Sequence, residues 1–297
     1  MKKQIEYSIG AMLAAIAILL QPSAANAQSQ WKWAFNLAPK PVELTMKSPT
    51  ALFVDEGRGR YYVVESKNNM LLSFEKTGEY LQPFTAEGKL LAPFDMVRDK
   101  QGFIWIVEKG RNTLTKISLK TKEVTPNTIE FKGKTVFPDR LEYAGNTLYL
   151  LDRASGTILA LDNNLTVDRS FACKDCVEGF VDFKVKDRKV IALNQEQRRI
   201  YTFTDDGEEE STIDLDQENL GFPRSFDRDT SGSYYILDRH RGTVSVFNRN
   251  GKFSYSFLTH GQAQDQMYYP IELRFDPWGR LCIVDQGNAR VQVYSRQ

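Results

Sequence analysis

Residues 270–294, PIELRFDPWGRLCIVDQGNARVQVY, decide the fold of the chain. The stretch begins with a proline and a short strand, passes through a turn with glycine, and continues into a strongly apolar strand that ends on Asp285. A polar loop and a third strand follow. Compact runs of β-branched and aromatic residues between turn residues are typical of strands, since an amphipathic helix needs apolar residues at i, i+3 and i+4. The stretch therefore predicts three consecutive short strands.

The same pattern recurs five more times along the chain. In each copy the second strand ends on a polar residue, usually an acid, and these positions are 42 to 47 residues apart. A period in the low forties with three or four strands per unit is the spacing of β-propeller blades. The copy at 179–203 lacks the leading proline, and the other copies cover 49–74, 93–117, 138–161, 223–247 and 270–294.

Several copies add a fourth strand behind a turn, as after Thr77-Gly78 and Asn250-Gly251. Asn-Gly suits tight hairpins because both residues tolerate positive φ. The last copy stops after its third strand, whereas the aromatic segment Trp31–Leu37 has the character of the missing strand. We therefore predict an all-β, six-bladed β-propeller with four-stranded antiparallel blades. The N-terminal strand is expected to close the last blade and remove the open edges.

The repeat resembles the NHL repeat, in which a strand ending in Asp leads through polar residues and Asn-x-Arg-Val into the next strand. Residues 283–294, IVDQGNARVQVY, are nearly the family signature, and the glycine-containing stretch 260–270 resembles the linker that precedes NHL units. The resemblance covers 31–297 and is best in the fifth and sixth copies. It implies the propeller fold and leaves the function open, because one fold hosts many functions.

Residues 1–27 have the features of a cleaved signal peptide: two lysines, the apolar run 9–20, and the cleavage site Ala25-Asn26-Ala27. We therefore expect a single NHL-type propeller domain at 28–297 without a membrane span. The domain is expected to be monomeric and exported to the periplasm or the exterior of a bacterium. The chain carries 39 Lys and Arg against 38 Asp and Glu. This near-neutral balance argues against a nucleic-acid partner, whose phosphates attract strongly basic proteins.

The first strand of each blade is expected to line the central channel, and the residues two positions after each proline differ between blades. The copy without a proline supplies Asp182 at the matching position. Three carboxylates in this set could bind Ca²⁺, which prefers oxygen ligands, or Arg140 could instead pair with an acid. The candidate ligand-binding residues at the channel mouth are Asp95, Arg140, Asp182, Ser225 and Glu272, and the candidate metal ligands are Asp95, Asp182 and Glu272.

Two further sets of charged residues recur in the blades: acids at the ends of the second strands, and basic residues in the loops that follow these strands. The terminal acids are interpreted as turn caps that accept backbone N–H groups, with a cation-binding ring as the alternative. The basic residues in the loops could form one rim that binds an acidic protein or polysaccharide. The candidate rim residues are Lys109, Arg111, Arg153, Arg239 and Arg241.

Cys173 and Cys176 form a C-x-x-C in a loop between blades. Since an exported chain meets an oxidising compartment and no thioredoxin-like pattern surrounds the pair, a structural disulfide is favoured over redox exchange. Related propeller lyases hold Zn²⁺ through several His, whereas this sequence has only His240 and His260. A zinc site takes three or four ligands, so a lyase of that kind is disfavoured.

Two functions are compatible with these observations. The leading prediction is a non-catalytic scaffold that binds a protein or glycan partner through its loop faces. The alternative is a Ca²⁺-dependent hydrolase or lyase, similar to gluconolactonase, with its site at the mouth of the channel. A close cluster of carboxylates would favour the enzyme, whereas salt-bridged charges beside a basic or aromatic face would favour the scaffold.

Overall fold

Six antiparallel sheets of four strands follow one another along the chain. The computed structural model describes residues 30–39 and 44–297, so the predicted signal peptide at 1–27 lies outside the described residues. Within this described part there is no α-helix, and hence no helix long and apolar enough to cross a membrane. The prediction of an all-β, six-bladed propeller is confirmed.

Blades 1 to 6 are numbered in chain order, and blades 1 to 5 each take their four strands in the order of the sequence. The strands of the first three blades are, for blade 1, Pro49–Asp55, Arg60–Glu65, Met70–Glu75 and Tyr80–Phe84; for blade 2, Pro93–Arg98, Ile104–Glu108, Thr113–Ile117 and Val124–Asn127; and for blade 3, Pro138–Ala144, Thr147–Asp152, Thr157–Leu161 and Val167–Phe171.

The other three blades repeat this arrangement, with one exception in blade 6. Their strands are, for blade 4, Asp182–Lys186, Lys189–Asn194, Arg199–Phe203 and Glu209–Asp214; for blade 5, Pro223–Arg228, Tyr234–Asp238, Thr243–Phe247 and Phe253–Phe257; and for blade 6, Glu272–Phe275, Leu281–Asp285, Arg290–Arg296 and the N-terminal Trp31–Leu37. Short pairs also form between Glu130–Phe131 and Lys134–Thr135 and between Thr259–His260 and Gln266–Met267, and 3₁₀ helices cover Glu56–Arg58, Ala86–Gly88, Gln217–Asn219 and Gln286–Asn288.

The N-terminal strand closes the ring. Trp31–Leu37 pairs antiparallel with Arg290–Arg296, from Trp31 opposite Arg296 to Leu37 opposite Val291. Leu37 is fully buried, and the Trp31 ring lies 5.9 Å from the Tyr235 ring of blade 5. The strand therefore supplies both the missing edge pairing and apolar contacts to a neighbouring blade, which confirms the predicted closure.

The first strands form the inner ring around the channel. Neighbouring first strands contact one another from blade 1 to blade 6, and those of blades 6 and 1 contact each other where the ring closes. In blades 1, 2, 3 and 5 the register between the first and second strands shifts just after the proline, as between Pro93 and Asp95. A β-bulge of this kind bends the strand and re-aims its side chains.

The hydrophobic core lies between blades rather than in one centre. Apolar side chains of adjacent blades pack face to face, as where the Phe171 ring of blade 3 lies 6.0 Å from the Phe203 ring of blade 4. Both rings are fully buried, and burying such a side chain stabilises a protein by about 1.5–3 kcal/mol. Stability therefore depends on each blade contacting the next.

The acids that end the second strands act as backbone caps. Asp238 is typical: its carboxylate accepts the N–H groups of Gly221 and Phe222, before the first strand, and those of His240 and Arg241, in the following turn. Glu65, Glu108, Asp152 and Asp285 likewise accept an N–H group from the segment before their own first strand. These contacts support the capping interpretation over a cation-binding ring.

Candidate functional site

The five residues proposed for the channel mouth lie deeper than the sequence suggested. Asp95, Arg140, Asp182, Ser225 and Glu272 all belong to first strands, and their exposed fractions run from 0% for Ser225 to 5% for Asp95. They form one buried layer inside the channel. The mouth that solvent reaches is built from other residues.

Four members of this layer join one blade to the next. In each case the side-chain oxygen accepts a backbone N–H group from the first strand of the following blade, so the polar side chain acts as an inter-blade connector. The pairs are Asp95 with Leu141 (3.0 Å), Asp182 with Phe226 (3.0 Å), Ser225 with Leu273 (3.1 Å) and Glu272 with Leu52 (2.9 Å).

The fifth member, Arg140, crosses the channel. Its guanidinium donates to the carbonyl oxygens of Thr50 (3.3 Å) and Ile271 (2.9 Å), and it lies 4.0 Å from the Asp95 carboxylate and 3.7 Å from that of Glu272. Burial alone would lower the pKa of Arg140, but Glu272 and Asp95 outweigh it and raise the pKa. Arg140 therefore carries a permanent charge in the middle of the layer.

The predicted Ca²⁺ ligands are engaged with backbone and guanidinium groups of the protein itself. In the part of the chain that the structure describes, no group of three or more His, Cys, Asp or Glu is placed to hold a metal ion. Each predicted ligand already accepts a backbone N–H group through a carboxylate oxygen, as seen for Asp95, Asp182 and Glu272. The Arg140 guanidinium lies between Asp95 and Glu272, where a metal cation would bind. The donor set fits a guanidinium rather than Ca²⁺, which needs six to eight oxygen ligands.

A second, partly buried layer of charges lies two residues further along the first strands. Arg274 contacts Glu272 (2.9 Å) and Glu142 (3.3 Å), and Lys184 contacts Asp182 (3.2 Å). Burial raises the pKa of Glu142 despite the neighbouring Arg274 and Lys184. The interior of the channel is thus a network of salt bridges in which the charged side chains pair with one another.

A cluster of cations surrounds the mouth. Lys109 and Arg224 share the carboxylate of Asp139, and the Lys109 ammonium lies 3.1 Å from the centre of the Phe94 ring. Burial lowers the pKa of Lys109 to about 8 in spite of this ion pair. Burial would raise the pKa of Asp139, but Lys109, Arg224 and Arg140 overcome it and hold the pKa at about 2.

Arg239 adds a third cation to the same mouth. It donates to the side chain of Gln286 (3.4 Å), lies 5.8 Å from the centre of the Tyr269 ring, and has no ion pair among the described residues. Burial, followed by the positive charges of Arg224 and Arg140, lowers the pKa of Arg239, and the pKa of Arg224 is lowered by the same kind of causes. Lys109, Arg224, Arg239 and Asp139 are called the mouth cluster below.

Both histidines lie beside this cluster, around Tyr269. The His240 ring stacks on the Phe222 ring, with their centres 4.2 Å apart, and its centre lies 6.4 Å from that of Tyr269. The centre of the His260 ring lies 6.3 Å from that of Tyr269. Within the described residues neither ring nitrogen of His240 has a hydrogen-bond partner. A stacked imidazole with free nitrogens is a suitable proton acceptor and donor.

The predicted basic rim divides into two groups. Lys109 and Arg239 are half-buried and belong to the mouth cluster, whereas Arg111, Arg153 and Arg241 are exposed on the loops around it. The rim is therefore not one continuous ring of equivalent residues. Its inner members have lost part of their hydration, which strengthens their interaction with an anion.

Sequence reasoning missed Asp139 and Arg224. Asp139 directly follows Pro138, and Arg224 directly follows Pro223. Each lies one position before a residue predicted to bind a ligand, Arg140 or Ser225. Because the register shifts at this point, the side chain next to the proline reaches the mouth and the following ones line the interior. A charged residue next to the proline was the available signal.

Cys173 and Cys176 are bonded to each other, with their Cα atoms 5.5 Å apart. The bond lies in the loop between the last strand of blade 3 and the first strand of blade 4. This loop is separate in sequence from every residue of the mouth cluster. The predicted disulfide is present.

Comparison with known proteins places the chain by fold. No family model matches it, so the NHL label is not confirmed, and no curated protein shows significant sequence similarity. Among solved structures, a catalytically inactive variant of virginiamycin B lyase from Staphylococcus aureus with quinupristin matches with a TM-score of 0.62 and 15% identity, over 83% of this chain and 80% of that one.

Two other solved structures are similar to the same extent. A streptogramin B lyase matches with a TM-score of 0.64 and 12% identity, over 90% of this chain and 98% of that one. A gluconolactonase from Xanthomonas campestris matches with a TM-score of 0.64 and 15% identity, over 85% of this chain and 88% of that one. These likenesses show that the chain is a six-bladed β-propeller of a shape that enzymes also use.

Proposed function

We propose that the protein is a hydrolase or lyase that acts on a small anionic substrate at the mouth of the channel. The observation that carries this proposal is the mouth cluster, in which Lys109 and Arg224 share the carboxylate of Asp139 and the nearby Arg239 has no ion pair among the described residues. The pKa values of all three cations are lowered, because burial and mutual repulsion leave their charge under-compensated. An anionic group bound there would restore the balance, and perturbed groups in a cleft are typical of functional sites.

His240 is the proposed acid–base residue. Its ring is held by stacking on Phe222, and its nitrogens are uncommitted within the described residues. In a hydrolysis, water would attack the carbonyl carbon while His240 takes the proton from that water. The same proton would then pass to the oxygen that leaves when the ester or lactone bond breaks. The reaction needs no electron donor or acceptor.

The fold comparisons support the enzyme at the level of architecture. Two lyases and a gluconolactonase share the propeller shape, at 12–15% identity. The interior carboxylates do not support the Ca²⁺-dependent form of the enzyme, because they pair with Arg140, Arg274 and Lys184. The proposal therefore rests on the mouth cluster and His240.

A turnover assay with carboxylate-bearing esters and lactones tests the proposal. We expect His240→Asn to reduce kcat strongly, whereas the matched variant His260→Asn keeps it. Lys109→Met is expected to raise KM by about tenfold, since a charged hydrogen bond contributes about 1.5–3 kcal/mol. Absence of turnover across such substrates, or full activity of His240→Asn, would contradict the proposal.

A second candidate is a non-catalytic module that binds an acidic protein or polysaccharide. The exposed Arg153 and Arg241 beside the mouth cluster favour this function, because they extend the positive surface beyond the size of a small ligand. Saturable binding of an acidic polysaccharide without turnover, weakened in the double variant Arg153→Ala and Arg241→Ala, would support it. Unchanged binding in that variant would count against it.

We also propose that the protein is a monomer exported to the periplasm or the cell exterior and that its repeats are of the NHL type. The export proposal rests on residues 1–27 and is tested by N-terminal sequencing of the protein from its producing cells. The expected first residue is Gln28. A chain that begins at Met1 and stays inside the cell would contradict it.

A further inference from the structure

A groove separates blades 2 and 3 at the end of the propeller opposite the mouth. Its volume is about 520 Å³, within the range of small-molecule sites. The turn that follows the first strand of blade 2 forms one wall, and blade 3 forms the other through Tyr143, Asn146 and Asn163. We propose that this groove binds an acidic saccharide, with Lys116 holding its carboxylate. This is a second site, independent of the proposed activity at the mouth.

Lys116 is exceptional among the six blades. It lies in the third strand of blade 2, opposite Trp105. At the equivalent register the other blades carry small or apolar residues, which are Ser73, Ala160, Thr202, Val246 and Val293. A charge at this position is therefore not required by the propeller, whose other blades pack without it.

The Lys116 ammonium lacks a carboxylate partner within the described residues. It is half-buried, 3.9 Å from the centre of the Phe103 ring and 5.2 Å from that of Trp105. Cation–π contacts of this kind fix the ammonium but leave its charge available to an anion. The position is thus prepared to receive a carboxylate.

The acids along the groove do not supply this carboxylate. Asp99 accepts the backbone N–H group of Phe103 (2.9 Å) and the indole N–H group of Trp105 (2.9 Å). Asp162 accepts the backbone N–H groups of Asn164 and Thr166, both at 2.8 Å. Both acids stabilise the turns that build the walls, and neither forms an ion pair with Lys116 among the described residues.

The remaining lining favours a saccharide over an acidic peptide. The side-chain amides of Gln101, Asn146 and Asn163 have no hydrogen-bond partner among the described residues and line the groove. An amide offers two donors and an acceptor, which suits sugar hydroxyl groups, and the aromatic rings of Phe103 and Tyr143 offer apolar surface to the face of a sugar ring. A uronic acid presents the carboxylate, the hydroxyl groups and the apolar face together.

Titration calorimetry with tetragalacturonate at low salt tests the proposal. The wild-type protein is expected to bind, and Lys116→Met, which keeps the apolar stem, to bind about tenfold more weakly, because a charge-assisted hydrogen bond is lost. Lys120→Met, which removes an exposed lysine of the same blade outside the groove, should bind like the wild type. A neutral oligogalactose should bind much more weakly than the acidic one.

Three outcomes would overturn the proposal: no binding by the wild type, equal affinity of Lys116→Met, or equally tight binding of pentaglutamate, which would assign the groove to acidic peptides. Thermal melting of Lys116→Met shows whether the variant is folded. Turnover at the mouth is measured in the same protein. The two sites are distinguishable. Lys116→Met should leave any turnover at the mouth unchanged, and His240→Asn should bind the saccharide as the wild type does even when its turnover is lost.

Discussion

The guanidinium of Arg140, from blade 3, lies 3.7 Å from the carboxylate of Glu272, from blade 6 on the other side of the channel. The same guanidinium donates to the carbonyl oxygens of Ile271 and of Thr50 in blade 1. One side chain therefore fastens three blades across the channel. The hydrophobic packing of the propeller joins adjacent blades, whereas Arg140 also restrains the positions of blades on opposite sides of the channel.

Replacing Arg140 by Met is expected to destabilise the protein by about 3–5 kcal/mol, because Asp95 and Glu272 would lose the buried cation that lies between them and Glu272 would keep only Arg274. Denaturant unfolding measures the change. Arg153→Met, at an exposed position, serves as the control and should alter stability by less than about 0.5 kcal/mol. Equal stability of the two variants would show that the channel charges do not need Arg140.

The stability of the protein should depend on pH through Asp95. Burial, followed by the Glu272 charge, raises the pKa of Asp95 from 3.8 to about 7. Between these values the folded protein keeps a proton that the unfolded chain releases, so stability falls as the pH rises from about 4 to about 7. Asp95→Asn removes this titration.

Denaturant unfolding of the wild type and Asp95→Asn at pH 5 and pH 7.5 measures the effect. The wild type should lose about 2 kcal/mol more than the variant between the two pH values, since one pKa unit corresponds to about 1.4 kcal/mol. Asp139→Asn is a useful control. The pKa of Asp139 is lowered to about 2, so its contribution is lost only as the pH falls below about 4. Parallel profiles for wild type and Asp95→Asn would refute the assignment.

The closing strand should be as important as a core strand. Leu37 is fully buried, so Leu37→Ala is expected to cost about 2–5 kcal/mol and to lower the Tm by several degrees. Lys32→Ala, at an exposed position of the same strand, should leave the Tm nearly unchanged. Thermal melting of both variants makes the comparison. Equal Tm values would mean that the strand is not required for a stable ring.

Gly251 and Gly279 offer a matched test of inter-blade crowding. Both have φ of +80°, but a Cβ on Gly251 would collide with the backbone carbonyl of Asp214 in blade 4, whereas a Cβ on Gly279 meets nothing within 4 Å. Gly279→Ala therefore reports the backbone strain alone, of order 1 kcal/mol. Gly251→Ala should lose at least about 1 kcal/mol more in chemical denaturation. Similar losses would indicate that the hairpin moves freely away from blade 4.

The fold could be predicted from sequence because repetition averages out local ambiguity. A single run such as Leu281–Asp285 is compatible with several folds, but six copies at a nearly constant spacing are typical of blades. The closing role of Trp31–Leu37 followed from counting strands and from the unfavourable exposure of its aromatic residues. The short hairpin of Glu130–Phe131 and Lys134–Thr135 was not predicted, since it lies between repeats.

The site was predicted only in part. Periodicity identified the inward strands, but the residues predicted for the channel mouth lie buried inside the channel: Asp95, Arg140, Asp182, Ser225 and Glu272. It could not show that the register shifts just after the proline in four blades, which in blades 3 and 5 brings Asp139 and Arg224, one residue earlier, to the mouth. Nor could it show that the carboxylates chosen as Ca²⁺ ligands would instead contact a guanidinium. Arg140 and Glu272 are 132 positions apart in the sequence, so their contact cannot be read from local spacing.

The binding of citrate at low ionic strength tests most directly whether the mouth cluster is an anion site. Titration calorimetry with the wild type should give saturable binding, and Arg239→Met should bind about tenfold more weakly, because Arg239 has no ion pair among the described residues and its charge is free for a ligand. Arg111→Met, outside the cluster, should bind as the wild type does. Absence of saturable binding, or equal affinity of Arg239→Met and the wild type, would contradict the account of this propeller as a protein that acts on small anions.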